Sequence, residues 1–220
     1  MSPLILQSIH QNINKMKQFN PLLILFLCLG MVFITACGDD ELPPNTSVIK
    51  GKVIIDNIDI WADWVDSGEV QLTIFPEFSL NPPAGWGEIP DGTFGPGVPG
   101  GTFAIGAPFN SQNPIILEYE SGTVEYEYEL EVDPGTYSAL ALGFRHDFVN
   151  DASRRTATLG VHHNNPNTVS HGVVIKADVG GGTIVPIFNY PAPSSFTVAD
   201  GETLELDFRA DFSFVQQWYR

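Results

Sequence analysis

The chain has 220 residues and carries 26 Asp and Glu against 10 Lys and Arg, a formal net charge of −16. A surface this acidic repels phosphate backbones and anionic headgroups, which argues against nucleic-acid binding and against electrostatic docking on a bilayer. Two cysteines in the whole chain cannot supply a disulfide framework, so the fold must be held by packing.

An unbroken apolar run, Leu22 to Ala36, follows Lys15 and Lys17 and ends in Ile34-Thr35-Ala36-Cys37. It is short for a spanning helix, which needs about 20 residues, and has the basic flank and small-residue end of a cleaved signal. The pattern resembles the lipobox of bacterial lipoprotein signal peptides. The resemblance implies cleavage before Cys37 and lipidation of its thiol and new amino group. Residues 1–36 are then the signal, and a start at Met16 would give a more compact one. The alternative is a retained signal anchor with Cys37 as an ordinary residue. Gly38-Asp39-Asp40-Glu41 resembles the surface-export signal of lipoproteins in Bacteroidetes-type bacteria, and is otherwise a solvated tether. Pro43 and Pro44 stiffen this tether, taken as residues 37–46. The expected location is the cell envelope, as an outer-membrane lipoprotein that the acidic cluster would carry to the surface.

From Cys37 to Arg220 the chain has 184 residues, enough for one domain with a real core, taken as residues 47–220. All 26 acids fall in this part with 8 of the Lys and Arg, a net charge near −18. With Cys28 in the signal and Cys37 lipidated, the mature domain has no disulfide, thiol nucleophile or thiolate ligand.

Strand signals follow in order. Val48 to Ile55 comes first, then Asp56, Asp59, Asp63 and Asp66 in an acidic turn with Trp61 and Trp64, where Ile60 to Val65 allows one helical turn. Glu69 to Ile74 alternates apolar with polar. Ile115 to Tyr119 is a further strand. Val124 to Val132 alternates without a fault, Val124, Tyr126, Tyr128, Leu130 and Val132 facing one way and four Glu the other. Asp133-Pro134-Gly135 predicts a hairpin into Tyr137 to Leu142. Thr156 to His162, Val173 to Ala177, Thr183 to Phe188, Ser195 to Val198 and Leu204 to Phe208 complete the set, with Gly180 to Gly182 and Asp200-Gly201 as turns. Seven to nine short strands separated by turns predict an all-β antiparallel sandwich.

Between two of these strands lies Pro82 to Phe109, half Gly or Pro, with Trp86, Phe94, Phe103 and Phe109 along it. A loop of this length is functional or mobile. Its aromatics either stack on a ligand such as a sugar ring or fold back as a lid, and packing is the favoured reading.

Val48-Ile49-Lys50-Gly51-Lys52-Val53 resembles the Gly-x-Val opening strand of carboxypeptidase regulatory-like domains, which have a transthyretin-like sandwich. Val132-Asp133-Pro134-Gly135-Thr136-Tyr137 with Ala139 to Ala141 resembles their Pro-Gly-x-Tyr hairpin. The resemblance covers roughly Val48 to Leu142. It implies a non-catalytic module of a secreted or surface protein, serving adhesion, folding or carbohydrate contact, and carries no catalytic residues.

His146, His162, His163 and His171 stand near Asp147 and Asp151, side chains that can ligate zinc, but no His-Glu-x-x-His spacing organises them. Loop histidines without a role are the reading taken. The four Asp of the acidic turn lack the alternating spacing of a calcium loop, so they read as a solvated turn. Arg154 and Arg155 are expected to pair with acids. No Gly-x-Ser-x-Gly elbow, phosphate loop or dinucleotide motif occurs. The expectation is therefore a non-enzymatic lipoprotein without cofactor, held to the membrane through Cys37 and contacting a protein or glycan partner. The alternative is a glycan- or calcium-binding lipoprotein using Trp86, Phe94 and Phe103 or the Asp56 to Asp66 turn. A metal-dependent hydrolase around the histidines ranks third.

Overall fold

The computed structural model describes residues 46–79, 88–89, 91–93, 95–102, 107–151, 154–172, 174–178 and 181–219. These belong to one compact unit, Pro44–Arg220. The signal, Cys37 and the acidic cluster lie outside the described residues. So do Trp86, Phe94 and Phe103.

The fold is an all-β sandwich built, among the described residues, on two four-stranded sheets. The first is organised by β1 (Ser47–Asp56), whose alternating burial leaves Ile49, Val53 and Ile55 in the core. Strand β8 (Glu125–Val132) pairs antiparallel along one edge of β1, from Ser47↔Val132 to Ile54↔Glu125. The other edge is shared by two parallel partners, β15 (Thr203–Glu205) against Val48–Lys50 and β16 (Phe208–Asp211) against Val53–Asp56. The sequence reads Leu204 to Phe208 as a single alternating strand. Its ladder breaks at Leu206 and Asp207, where the Leu206 amide donates to the Lys50 carbonyl (2.9 Å) and the Lys52 amide to Asp207 Oδ1 (2.8 Å).

The second sheet has the order β11–β10–β2–β7, all antiparallel: β2 (Gly68–Phe75), β7 (Gln112–Leu117), β10 (Ala139–His146) and β11 (Thr156–Val161). Leu72, Ile74, Leu140, Leu142, Phe144 and Leu159 face Ile49, Val53, Tyr128, Leu130 and Phe208 across one continuous core. At one side the sheets come close enough that a Cβ on Gly160 would stand inside 3.0 Å of the Arg209 carbonyl oxygen and of Ala210.

Strand β8 alternates as its sequence predicts, Tyr126 to Val132 inward and the four Glu outward. Val124 precedes the strand and is exposed. The predicted hairpin at Asp133-Pro134-Gly135 is not one. Strands β8 and β10 belong to different sheets, and the turn carries the chain from one to the other. Its continuation, β9 (Gly135–Tyr137), pairs with β14 (Phe196–Val198) instead. A single turn cannot both reverse a strand and cross the core, and the buried faces of both strands select the crossing. The Tyr137 hydroxyl fixes it by donating to the Asp133 carbonyl (2.7 Å), as tyrosine corners do in other sandwiches, and its ring stacks on Phe196.

The Gly/Pro-rich insert is more regular than its composition predicts. Strand β3 (Glu77–Ser79) pairs with β6 (Ala107–Phe109), and β4 (Glu88–Ile89) with β5 (Gly101–Thr102), so the excursion prolongs the β2–β7 hairpin. Within its tip the Gly92 amide donates to the Val98 carbonyl (2.7 Å) and the Gly100 amide to Asp91 Oδ1 (2.6 Å). A second hairpin, β12 (Val174–Asp178) with β13 (Ile184–Asn189), lies against β5.

Among the described residues two short helices complete the unit. Helix α1 (Ile58–Trp61) follows β1 directly and continues as turns to Ser67, close to the predicted helical turn. Helix α2 (Ser213–Trp218) is not predicted by the sequence reading. Its Phe214, Val215 and Trp218 are buried, and Phe214 and Trp218 form a second small core with Ala157, against which Val98 of the insert packs. Among the described residues no helix is long and apolar enough to cross a membrane.

Candidate functional site

Strand β1 enters the sandwich at Ser47 and spans ten residues, about 33 Å at strand rise. At its far end α1, the start of β2, the end of β10 and the end of α2 converge. A pocket opens there, lined by His146, Val149, Asn150, Asp151, Arg154 and Tyr219.

Each wall has a local cause. His146 is the last residue of β10, registered opposite Gly68 at the start of β2. The next amide, Asp147, donates to the Ser67 carbonyl (2.9 Å), which ties the loop to the turn after α1. Within the loop the Arg154 amide donates to the Asp151 carbonyl (3.0 Å) and Arg155 Nε to the Val149 carbonyl (3.0 Å). Arg154 and Trp218 are doubly linked: the indole N–H donates to the Arg154 carbonyl (3.0 Å), and the guanidinium reaches the Trp218 carbonyl (3.4 Å).

Tyr219 follows α2 and stands in a nest of rings. Its centroid lies 4.8 Å from His146, edge to face, 5.7 Å from Trp64 and 6.1 Å from Phe144. Its hydroxyl donates to the Arg155 carbonyl (2.8 Å), and burial pushes its pKa up. His146 also touches Trp64 and Phe148 edge-on. Phe148 projects beside the pocket and is 74% exposed, the most exposed large apolar side chain among the described residues. The pocket lining thus combines a carboxylate, an amide and a guanidinium with two aromatic side chains, His146 and Tyr219, on segments tied together by backbone hydrogen bonds.

The sequence-predicted groups fare differently. The acidic turn does not assemble. Asp56 makes a two-point ion pair with Arg209, Nε to Oδ2 at 3.3 Å and Nη2 to Oδ1, while Asp59, Asp63 and Asp66 are exposed. Among the described residues no three His, Cys, Asp or Glu side chains stand close enough to hold a metal ion.

The histidines are dispersed, and two are buried rather than on open loops. His171 is 4% exposed, stacks on Phe214 at 3.9 Å and meets Tyr190 edge-on. Its Nδ1 faces the Thr158 carbonyl (2.8 Å), which can only accept, so that nitrogen carries the proton. Burial lowers its pKa to about 4, against the opposing pull of that hydrogen bond and of Asp211. His163 is buried with Nε2 on the Thr168 carbonyl (2.9 Å). His162 lies against Phe196 with a buried Nδ1 that has no partner, and burial lowers its pKa, with His163 adding to the effect. Arg155 bonds a carbonyl where an acid is expected. Trp61 stacks on Phe212 (5.3 Å) at the end of the core.

Sequence reasoning found His146, Asp151 and Arg154 but missed Tyr219, Val149 and Asn150. No local signal joins Tyr219 to the others, because β11 and the hairpin arms intervene in the chain. Compared with known family models, with curated proteins and with solved structures, the chain matches none.

Proposed function

We propose that this chain is a membrane-anchored lipoprotein of the cell envelope whose sandwich makes contacts and carries out no reaction. Cys37 bears the lipid and opens the tether of residues 37–46, and the acidic cluster directs the body toward the cell surface. The observation that carries the reading is the polarity of the sandwich. The chain enters it at Ser47, ten residues after Cys37, and the aromatic pocket with Phe148 beside it lies at the opposite end. A body tethered at one end offers the other to partners.

The finer reading of a transthyretin-like module is part of the proposal. Its support is that both segments of the resemblance have structural work. Gly51 lies where the backbone of Leu206 approaches β1, and Pro134-Gly135-Thr136-Tyr137 makes the crossing between sheets.

The test is mass spectrometry of the membrane fraction with a Cys37→Ser variant beside the natural chain. The expected result is an amino-terminal, lipid-modified Cys37 in the natural chain and release of the variant into the soluble fraction. An intact amino terminus upstream of Ala36 in both overturns the reading. A glycan-binding role is the second reading, and the composition of the pocket favours it.

A further inference from the structure

We infer that the outer edge of β8 is a docking site for an extended segment of a partner protein that carries Lys or Arg at every second position. The inference rests on the contact-module reading above and adds the chemistry of the partner.

Two hydrogen bonds fix the direction of the β8 backbone. The Ile55 amide donates to the Val124 carbonyl (2.8 Å), so Val124 turns toward β1. Residues two apart in an antiparallel pair share that direction, so Tyr126, Tyr128, Leu130 and Val132 do the same. Glu125, Glu127, Glu129 and Glu131 turn their backbone groups away from β1. The Glu131 carbonyl accordingly accepts from Asn113 Nδ2 of β7 (3.0 Å). Among the described residues the outward amides and carbonyls of Glu125, Glu127 and Glu129 meet no partner.

The other edges of the two four-stranded sheets are closed. Strand β7 carries Pro114, which has no N–H, and Asn113 in the left-handed region at φ 47°. On β11 the Val161 amide donates to the Ser170 carbonyl (2.8 Å), and the Thr158 carbonyl accepts from His171 Nδ1 (2.8 Å). Strands β15 and β16 have three and four residues, and Val169 bridges to Arg209 of the second. Strand β8 has eight residues in unbroken register, with no Pro, Gly or bulge. Such an edge is a template for a further strand unless charge forbids it.

The charge forbids some strands and admits others. The four Glu side chains stand on the outer face beside the edge. Lys52 holds Glu125 (2.6 Å) and lies 3.8 Å from Glu127, while Glu129 and Glu131 have no ion-pair partner among the described residues. A second copy pairing β8 with β8 antiparallel would set Glu against Glu, which is repulsive. The chain's own tether carries Asp39, Asp40 and Glu41 and is repelled in the same way. A strand with Lys or Arg opposite Glu127, Glu129 and Glu131 is attracted. Its alternate residues would turn to the core side, in line with the buried Tyr126, Tyr128 and Leu130, and are therefore apolar. The edge supplies hydrogen bonds that any strand can use, and the carboxylates select the basic ones.

The test titrates the full chain in detergent, at physiological ionic strength, with the peptide Thr-Lys-Val-Lys-Val-Lys-Val-Thr. One control peptide has Glu for every Lys. A second has Pro for every Val, which keeps the charge but cannot complete a ladder. Saturable binding of the first peptide alone is expected, with amide hydrogen exchange slowed about tenfold or more at Glu125, Glu127 and Glu129. Glu127→Gln combined with Glu129→Gln alters exposed side chains and should weaken binding about tenfold with the melting temperature unchanged. The inference is overturned if the lysine peptide does not bind, if the proline peptide binds equally well, if protection falls on β7 instead of β8, or if the double variant binds as the natural chain does. Dimerisation that slows the same amides without peptide assigns the edge to a second copy and overturns it too. The anchoring reading fails on a different measurement, retention of Cys37→Ser in the membrane fraction, on which the titrations do not depend.

Discussion

The carbonyl oxygen of Leu206 sits where the β-carbon of any residue other than glycine at position 51 would be, inside 3.0 Å of it. This close approach lets β15 and β16 share one edge of β1, because the chain jogs past Gly51 between them. The buried Tyr128 hydroxyl donates to the same Leu206 carbonyl. The obstacle is backbone on both sides, which cannot swing away as a flexible side chain can. Gly51→Ala should therefore destabilise the domain by about 2–4 kcal/mol, as overpacking at a backbone crossing does. Gly135→Ala is the control, since a β-carbon there meets nothing within 4 Å. Urea unfolding of both variants checks the pair, and equal losses would show that the crossing is not the cause.

The turn between the sheets depends on one phenol. Tyr137→Phe keeps the stack on Phe196 and removes the hydrogen bond to the Asp133 carbonyl. A loss of about 1 kcal/mol is expected, the usual net value of one such bond. The midpoint of denaturant unfolding measures it. An unchanged midpoint would mean that Pro134 and the β9–β14 ladder hold the turn unaided.

The architecture is legible in the sequence because alternation survives into the fold. The Tyr126 to Val132 face is buried as its pattern demands, and Ile49, Val53, Leu72 and Ile74 follow the same rule. Topology is less legible, since a Pro-Gly turn is equally good chemistry for a hairpin and for a crossing. Only the pairing of β8 with β1 and of β10 with β2 decides between them. The pocket is the least legible part. His146, Asp151 and Arg154 are near in sequence, but the floor comes from Tyr219, brought there by the packing of α2 on β11. Phe214, Val215 and Trp218 signal that helix only weakly, because one and a half turns are too few for a clear period.

Stability should fall as the solution is acidified, with the largest single contribution from His171. An unfolded histidine titrates near 6.5, while His171 in the fold is held to about 4 by burial. Between these values the unfolded chain binds the proton and the folded chain does not, so protonation favours unfolding. The contribution is fully present above pH 6.5, declines through the window and is exhausted below pH 4. It amounts to about 3 kcal/mol at most, since each tenfold difference in proton affinity between the two states is worth about 1.4 kcal/mol. Asp211 and the Tyr190 ring are the other ionisable groups against His171, and Asp211 opposes the lowering. His162 is shifted the same way and adds to the slope. Chemical denaturation at several pH values should show His171→Phe with a shallower decline between pH 6.5 and 4. A variant as steep as the natural chain would place the acid sensitivity elsewhere.

Calcium should leave the melting temperature unchanged. The acidic turn loses its first carboxylate to Arg209, which holds both oxygens of Asp56, and Asp59, Asp63 and Asp66 remain exposed. Calcium requires six or more oxygen ligands converging on one point. Calorimetry of the full chain in millimolar calcium and again in chelator checks this. A rise of several degrees with the ion would mean that these side chains rearrange around it. Asp56→Asn removes one partner of a half-exposed pair and should cost about 1 kcal/mol or less at moderate salt.

A small core lies between α2 and the sandwich. Trp218 closes that core with Phe214 and Ala157 and donates its indole N–H to the Arg154 carbonyl. Val98, at the tip of the insert, packs against the same cluster, so the insert and the carboxyl-terminal helix share one patch of apolar cover. Trp218→Ala should cost about 3–5 kcal/mol, as removal of a large buried ring does. It should also act at a distance along the chain. Without that patch the tip around Gly92 to Gly100 leans on its own turns, the two-residue β4–β5 ladder and the contact of β12 with β5, and opens more readily. Limited proteolysis under native conditions should then cut the insert of the variant before the sandwich unfolds, while the natural chain resists. If the insert is cleaved equally fast in both, the contact with Val98 contributes nothing to holding the arm down.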